Sequence, residues 1–539
     1  MNNPPGRFYI FLPLIFAGLL IAGIFIGRML DFSGKGNAGP VLYSAPGDAS
    51  EKINQVLSYI DREYVDSINP GELSDEAISD MLKHLDPHST YISVKDLASV
   101  NESLQGNFEG VGIEFNVFRD TICVIAVVKG GPSEKAGLMA GDKIIKVEGE
   151  DVTGQRDKDK DVSTKLRGKG GTKVKVSIMR PGSDKLLDFT ITRGQIPIYS
   201  LDVAYMLDGQ TGYIKLDRFA ETTYDEFMLA VKKLRSEGMQ RMVLDLRGNG
   251  GGILDIAVQI ADEFLEDGKL IVYTKGKAYP KKEYRATKQG ALTETPLVIL
   301  IDENSASASE ILAGAIQDND RGLIVGRRSF GKGLVQHQTD FPDGSAMRLT
   351  IARYYTPTGR CIQKPYDKGT DEYYKEELKR YENGELVHAD SIHFADSLKF
   401  KTPKGKVVYG GGGIMPDLFV PLDTSNRSRY INDLFYKNIF NQFSFDYMNV
   451  HRSELLAMGK QAFIDQYKVS DDLLQQFFTY ADKSGVKKDL AEIKRSQGQA
   501  RLFLKSAMAR NLWNNEGFYP IYNQNDKTLR QGLDAVEGK

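Results

Sequence analysis

Residues 242–252 read MVLDLRGNGGG and residues 296–318 read PLVILIDENSASASEILAGAIQD. In each, a strand-like run passes through a glycine- or serine-rich turn toward a stretch with helical spacing. MVLDL and LVILI are continuous apolar runs, as expected of strands buried on both faces. Working outward, GYIKLDRF (212–219) precedes the helix-like TYDEFMLAVKKLRSEG (223–238), and GILDIAVQIADEFLE (252–266) follows the first strand. Strands alternating with helices over 196–425 predict an α/β core. Its segment 366–408, charged and Tyr-rich, reads as an insertion.

The flanking regions change period. Over 106–195 the runs VGIEFNVF, ICVIAVV, DKIIKVEG, KVKVSIMR and LLDFTITR, separated by Gly, Pro and Asp, predict a small β-rich domain. Over 49–105 the spacing of Ile53, Val56, Leu57, Ile60 and Tyr64, and of Leu73, Ala77, Ile78, Met81 and Leu82, predicts a helical segment broken at Asp86-Pro87. Residues 426–539 are again helical by period, as in DDLLQQFFTYADK. They hold the lone tryptophan, Trp513, which fits a docking surface or a small satellite core. At the other end, Phe8–Ile26 is uncharged and long enough to cross a bilayer. No small-x-small cleavage site follows it, which favours an anchor at 1–28 over a cleaved signal peptide. Residues 29–48, rich in Gly, Ser, Ala and Pro, read as a linker. The fold class is thus multidomain α+β: a membrane helix, a helical segment, a β-rich domain, an α/β core and a C-terminal helical region.

Composition excludes several functions. The 539 residues carry 70 Lys and Arg against 72 Asp and Glu, a net charge of −2, without the basic excess of a nucleic-acid binder. Two cysteines, Cys123 and Cys361, exclude a disulfide scaffold and a four-cysteine zinc site. In a bacterial periplasm, where an anchored chain of this layout would lie, the two are free to pair but need not.

Three glycine- or serine-rich spots carry candidate chemistry. Gly326-Arg327-Arg328-Ser329-Phe330-Gly331-Lys332-Gly333 nearly matches a phosphate-binding P-loop. It lacks the final hydroxyl, and LVQHQTDF after it looks like a strand where a P-loop opens a helix. The run 247–252 sits where α/β sheets bind ligands, at a strand's carboxyl end, and its glycines let backbone N–H groups approach a substrate; it also fits a plain strand-to-helix turn. Ser307-x-x-Glu310 reads two ways. It is a capping box, or it places a hydroxyl where free N–H groups at a helix N-terminus stabilise an oxyanion. A serine nucleophile needs a base. Of the six histidines only His337 is close in sequence, and strand parity turns it away from Lys332 and Gln336. Lys332, among glycines and apolar residues, is the better base, since burial favours the neutral amine. Gln336 is placed to hold that amine.

Gly110-Val111-Gly112-Ile113, followed by an extended strand, resembles the carboxylate-binding loop of PDZ domains. Gly131-Pro132-Ser133-Glu134-Lys135-Ala136-Gly137-Leu138 and Gly141-Asp142-Lys143-Ile144 strengthen that resemblance, while Glu148 departs from it where Asn is more usual. Such a domain adds a peptide as an extra strand and holds its terminal carboxylate. The order of parts (anchor, LDPHSTYIS, PDZ domain, LDLRGNGGG, ENSASASEILAGAIQD, GRRSFGKGLVQ) resembles the carboxyl-terminal processing proteases of family S41 over about 50–425. That resemblance implies Ser307 as nucleophile, Lys332 as general base and Gln336 as its orienter. It implies Gly252 and Ala308 N–H groups as oxyanion donors, and no metal or other cofactor. It further implies substrates with free C-terminal tails cleaved on the periplasmic side of the inner membrane, and a resting form with Ser307 and Lys332 apart. A membrane-tethered scaffold that binds tails without cleaving them is the rival reading, and acyl chemistry on a small molecule a weaker third. An adaptor or a second copy of the chain remains open as a partner.

Overall fold

The computed structural model describes residues 49–154, 159–288, 290–424 and 428–539. The expected membrane span Phe8–Ile26 and the linker lie outside them. Among the described residues no helix is long and apolar enough to cross a membrane. The described residues divide into two units, 49–77 and 78–539. In the first, the helix Ala49–Glu63 carries the expected apolar spacing, with Ile53 and Val56 45% and 50% exposed.

The second unit is built on a six-stranded sheet in the order Leu201–Met206, Thr211–Leu216, Arg241–Asp245, Leu297–Ile301, Leu323–Gly326, Leu418–Phe419. The first pair is antiparallel and every later pair parallel. Both central runs quoted above are strands, and both faces are covered. Met242, Leu244, Leu297 and Ile299 pack against the helices Thr223–Ser236, Leu254–Asp262 and Ala308–Asp318. Val243, Val298, Leu300 and Val325 point the other way and meet Leu529 of the helix Lys527–Val536. The period-2 alternation of a strand explains how one apolar run serves two cores.

A second, antiparallel sheet has the strand order Thr90–Ile92, Ala346–Tyr355, Leu270–Lys275 and Lys282–Arg285, and Leu334–Asp340 pairs with Ala346–Tyr355. Leu334–Asp340 is a strand, so the P-loop match at 326–333 opens no helix. Thr90–Ile92 corrects the purely helical reading of 49–105. Three residues are too few to show a period, and their pairing partners, Ala346–Arg348, lie far along the chain.

The β-rich domain consists of Ile113–Phe118, Thr121–Val127, Lys143–Val147, Glu150–Asp151, Lys173–Met179 and Leu187–Thr192. Asn107–Gly110 and Gly194–Pro197 pair where the chain enters and leaves it. It rests on the C-terminal helices through the Phe118 and Phe445 rings, Arg119 on Asp446 at 2.7 Å, and Arg510 on Glu114 at 2.9 Å. Those helices have their own core, in which Trp513 packs on Phe463, so the satellite-core reading of that residue holds. Cys123 and Cys361 are both free.

The helix Lys527–Val536 approaches its sheet closely at Gly532, where a Cβ would lie 2.7 Å from Leu300 Cδ2. Gly532→Leu should lower stability by about 1–3 kcal/mol, the usual cost of overpacking a closed interface. A urea midpoint equal to that of the parent chain would refute this contact.

Candidate active site

Three adjacent parallel strands deliver three loops to one edge of the sheet. Arg241–Asp245 leads into the glycine turn 247–252, Leu297–Ile301 into Ser307, and Leu323–Gly326 into Lys332. Carboxyl ends of neighbouring strands are where such sheets hold ligands.

Ser307 stands immediately before the helix Ala308–Asp318 with φ 55° and ψ −113°. A capping serine adopts extended dihedrals and accepts from the first helical turn. The capping box is present, with Glu310 reaching back to the Ser307 N–H at 2.8 Å and the Ser307 side chain facing the Glu310 N–H, but it is built on dihedrals that an ordinary cap does not adopt. A non-glycine residue in this sparsely populated region costs about 1–3 kcal/mol and persists only where its surroundings over-determine it.

Those surroundings are specific. The Asn249 carbonyl accepts from the Ala306 N–H at 3.0 Å and the Ser309 hydroxyl at 2.9 Å, tying the glycine turn to the serine turn. A Cβ on Gly251 would fall 2.6 Å from the Ala306 carbonyl and 2.8 Å from Ser307 Cβ, and one on Gly252 2.1 Å from the Phe219 carbonyl. Only glycine permits these approaches. The Gly251 N–H is committed to Asn249 Oδ1 at 2.8 Å. The N–H groups of Gly252 and Ala308 donate to no partner among the described residues.

Glu310 joins the serine loop to the lysine loop. Its buried carboxylate accepts from the Ser307 N–H, the Ser329 hydroxyl at 2.5 Å, the Gly331 N–H at 2.7 Å and the Lys332 N–H at 2.9 Å. Burial pushes its pKa up, and these four bonds work against that shift. Tyr354 makes a second link, its hydroxyl lying 2.5 Å from the Lys332 carbonyl oxygen and 3.1 Å from that of Ser307. The Lys332 amine is pushed below its ordinary pKa by burial and by the Arg348 guanidinium, against the opposing pull of Glu310 and Asp86. Among the described residues no hydrogen bond joins the Ser307 hydroxyl to the Lys332 amine.

Gln336 is close by, but the reason given for it in the sequence fails. Lys332 precedes the strand Leu334–Asp340, so strand parity does not relate it to Gln336, and the ladder's register shift at Val335 and Gln336 puts the extra residue, Ile351, on the partner strand. Gln336 Nε2 donates to the His88 carbonyl at 3.2 Å, which leaves its Oε1 as an acceptor. His337 is exposed. The histidine beside Lys332 is His88, carried in by the loop Asp86–Ser89, with Nε2 2.8 Å from the Tyr373 hydroxyl. Burial, aided by the Lys332 charge, pushes the His88 pKa down to about 4. Asp86 organises this loop by accepting from the N–H groups of His88 and Ser89 and the hydroxyls of Ser89 and Thr350. Tyr373 belongs to the segment read as a surface insertion, yet it packs on Phe330, and Lys364 lies over both rings.

In the β-rich domain, Val111, Gly112 and Ile113 line a cavity of about 230 Å³ with Phe108, Phe115, Ser163, Leu166 and Arg167. Gly110 pairs with Gly194 beside it and is not among the lining residues. The strand Ile113–Phe118 is an edge of its sheet, so one side of it is open to an added strand.

Replacing Glu310 by Gln keeps the volume but gives the group one acceptor oxygen. Whichever way the amide turns, one pair of donors loses its partner. The expected loss is about 2–6 kcal/mol of stability, at about 1–3 kcal/mol for each of the two unsatisfied buried donors, read from the urea midpoint. An unchanged midpoint would show that the four bonds do not hold the two loops.

Comparison with known proteins agrees with this layout. Peptidase family S41 matches residues 210–371, a PDZ domain matches 110–191, and a family of unknown function (DUF8443) matches 430–514. The chain is 38% identical to a carboxy-terminal-processing protease of Bartonella bacilliformis over 58% of this chain and 72% of that one. It is 33% identical to the carboxy-terminal processing protease CtpA of Bacillus subtilis over 71% and 81%. A solved photosystem II D1 C-terminal processing protease is similar at 28% identity and a TM-score of 0.36, covering 70% of this chain and 87% of that one. By descent and by the arrangement of its parts, this chain belongs to the carboxy-terminal processing proteases, serine-type hydrolases of peptidase family S41.

Proposed function

We propose that the chain is a Ser-Lys endopeptidase that binds proteins by their C-terminal tails and cleaves near them, anchored in the bacterial inner membrane with its catalytic part in the periplasm. The observation that carries the catalytic part is the strained Ser307 at a helix N-terminus, joined through one buried carboxylate to a lysine of lowered pKa. The tail would add as a strand along Ile113–Phe118, its carboxylate at Val111, Gly112 and Ile113. The apolar span Phe8–Ile26 supports the anchor. Kinship with proteases disfavours the tail-binding scaffold.

In the reaction, neutral Lys332 takes the Ser307 hydroxyl proton as Oγ attacks the scissile carbonyl carbon. The oxyanion forms between the N–H groups of Gly252 and Ala308, which have no partner among the described residues. The C–N bond then breaks, the leaving amine takes the proton from Lys332, and water hydrolyses the acyl-enzyme by the same route. Gln336, held through its Nε2, offers Oε1 to the lysine amine. The missing Ser307–Lys332 bond supports a resting arrangement that tightens when substrate binds.

Ser307→Ala and Lys332→Ala should each abolish cleavage of an unfolded protein substrate while the circular-dichroism spectrum and melting temperature stay close to the parent's. Turnover by either purified variant would overturn the assignment.

The base must be neutral to work, so kcat/KM should rise with pH as Lys332 deprotonates, and this limb should lie below the ordinary lysine range. Removing the positive charge of Arg348 favours the protonated amine and raises its pKa. Arg348→Gln should therefore move the limb to higher pH; a shift the other way, or none, would exclude Lys332 as the titrating group.

A further inference from the structure

Arg247 opens the glycine turn and lies between two carboxylates. Its guanidinium meets Asp245 at 2.6–3.1 Å, within its own strand-to-turn segment, and Asp526 at 2.8 Å. These side chains are 19%, 1% and 13% exposed for Arg247, Asp245 and Asp526, so the pair is mostly removed from solvent. Asp526 has a second task, since its Oδ1 accepts from the Leu529 N–H at 2.9 Å and caps the helix Lys527–Val536. The same helix covers the face of the sheet formed by Val243, Val298 and Leu300, under the two strands that lead to the glycine turn and to Ser307.

The contact is one of several that close around this turn. Asn523 donates to the Tyr205 hydroxyl at 3.0 Å and Tyr213 donates to Asp245 at 2.7 Å, while Arg241, at the opposite end of the strand, reaches Glu537 at 3.0 Å. Lys215 holds the Arg247 carbonyl at 2.8 Å, and Asp302 the Gly248 N–H at 2.9 Å. Each residue of 247–249 is thus fixed by a side chain from another element, and the C-terminal helix supplies the link at the turn's first residue.

We propose that Asp526 and Arg247 are a positioning pair through which the C-terminal helix sets the glycine turn, and with it the Gly252 N–H, for catalysis. This rests on the reading of Gly252 and Ala308 as oxyanion donors. The helix is then part of the catalytic core, beyond its cover of an apolar face. Preorganised donors matter because they cost no rearrangement as charge develops, and small displacements of them are expensive in rate.

The test uses the full chain and fluorescein-labelled casein as an unfolded substrate. Asp526→Asn keeps an acceptor for the Leu529 N–H, so the cap survives, but removes the charge that holds Arg247. The expected result is a fall in kcat of about tenfold, less than the loss of a whole oxyanion donor. KM and the melting temperature should stay near the parent's, and Asp526→Glu should restore part of the rate. Phosphonylation of Ser307 by a fluorophosphonate should slow by the same factor as kcat. Parent-like kcat in Asp526→Asn, a loss confined to KM, or a loss that tracks melting temperature would each overturn the proposal. Ser307→Ala, run in parallel, separates the two readings. If it is inactive while Asp526→Asn is fully active, only the positioning pair falls; if it turns over casein, the catalytic assignment falls first.

Discussion

The site depends on one buried carboxylate. Taking an ionised group out of water costs several kcal/mol unless hydrogen bonds replace its hydration. Glu310 receives four, from Ser307, Ser329, Gly331 and Lys332. Three are backbone N–H groups, so what is fixed is the path of two loops and not merely the pose of two side chains. Tyr354 adds a bridge between the carbonyls of the same two residues. Loops from different strands are in this way held to each other through Glu310 and Tyr354, with no hydrogen bond between the Ser307 hydroxyl and the Lys332 amine among the described residues.

The same carboxylate makes the strain at Ser307 sustainable. With φ 55° and ψ −113°, that residue would relax into an ordinary cap if its N–H were released. Gly251 fits against Ser307 Cβ only because it lacks a side chain, and Asn249 fastens both turns to each other. The cost is met by contacts of the buried residues Asn249, Ser309 and Glu310. That is the condition under which a fold keeps a high-energy residue in place.

Much of this was legible in the chain, for physical reasons that also set the limit. Continuous apolar runs at 242–246 and 297–301 mark two-faced strands, and the serine and glycine turns after them follow from strand-end geometry. Elements whose signal lies in distant partners were not legible. Thr90–Ile92 is a strand because Ala346–Arg348 pairs with it. Tyr373 is buried in a segment whose composition reads as surface, because a local average of charge does not show which single ring turns inward. The parity argument for Gln336 assumed a strand that already runs at Lys332, whereas the strand begins at Leu334, because Gly331-Lys332-Gly333 does not show where pairing starts. Nothing in the period of the last helix said which sheet face it would cover.

His88 sharpens the choice of base, because it is the histidine that sequence distance concealed. It lies within electrostatic reach of Lys332, so a serine–histidine arrangement has to be weighed against serine–lysine. Two facts decide. Its Nε2, the usual acceptor of a serine proton, is occupied by the Tyr373 hydroxyl at 2.8 Å. Its pKa of about 4 makes it a poor proton acceptor near neutral pH, where a base works best with a pKa close to the working value. Lys332 is shifted the useful way, from a value too high toward that range. Burial therefore acts on both groups in the same direction but with opposite consequence. It disables a base that began near neutrality and improves one that began above it.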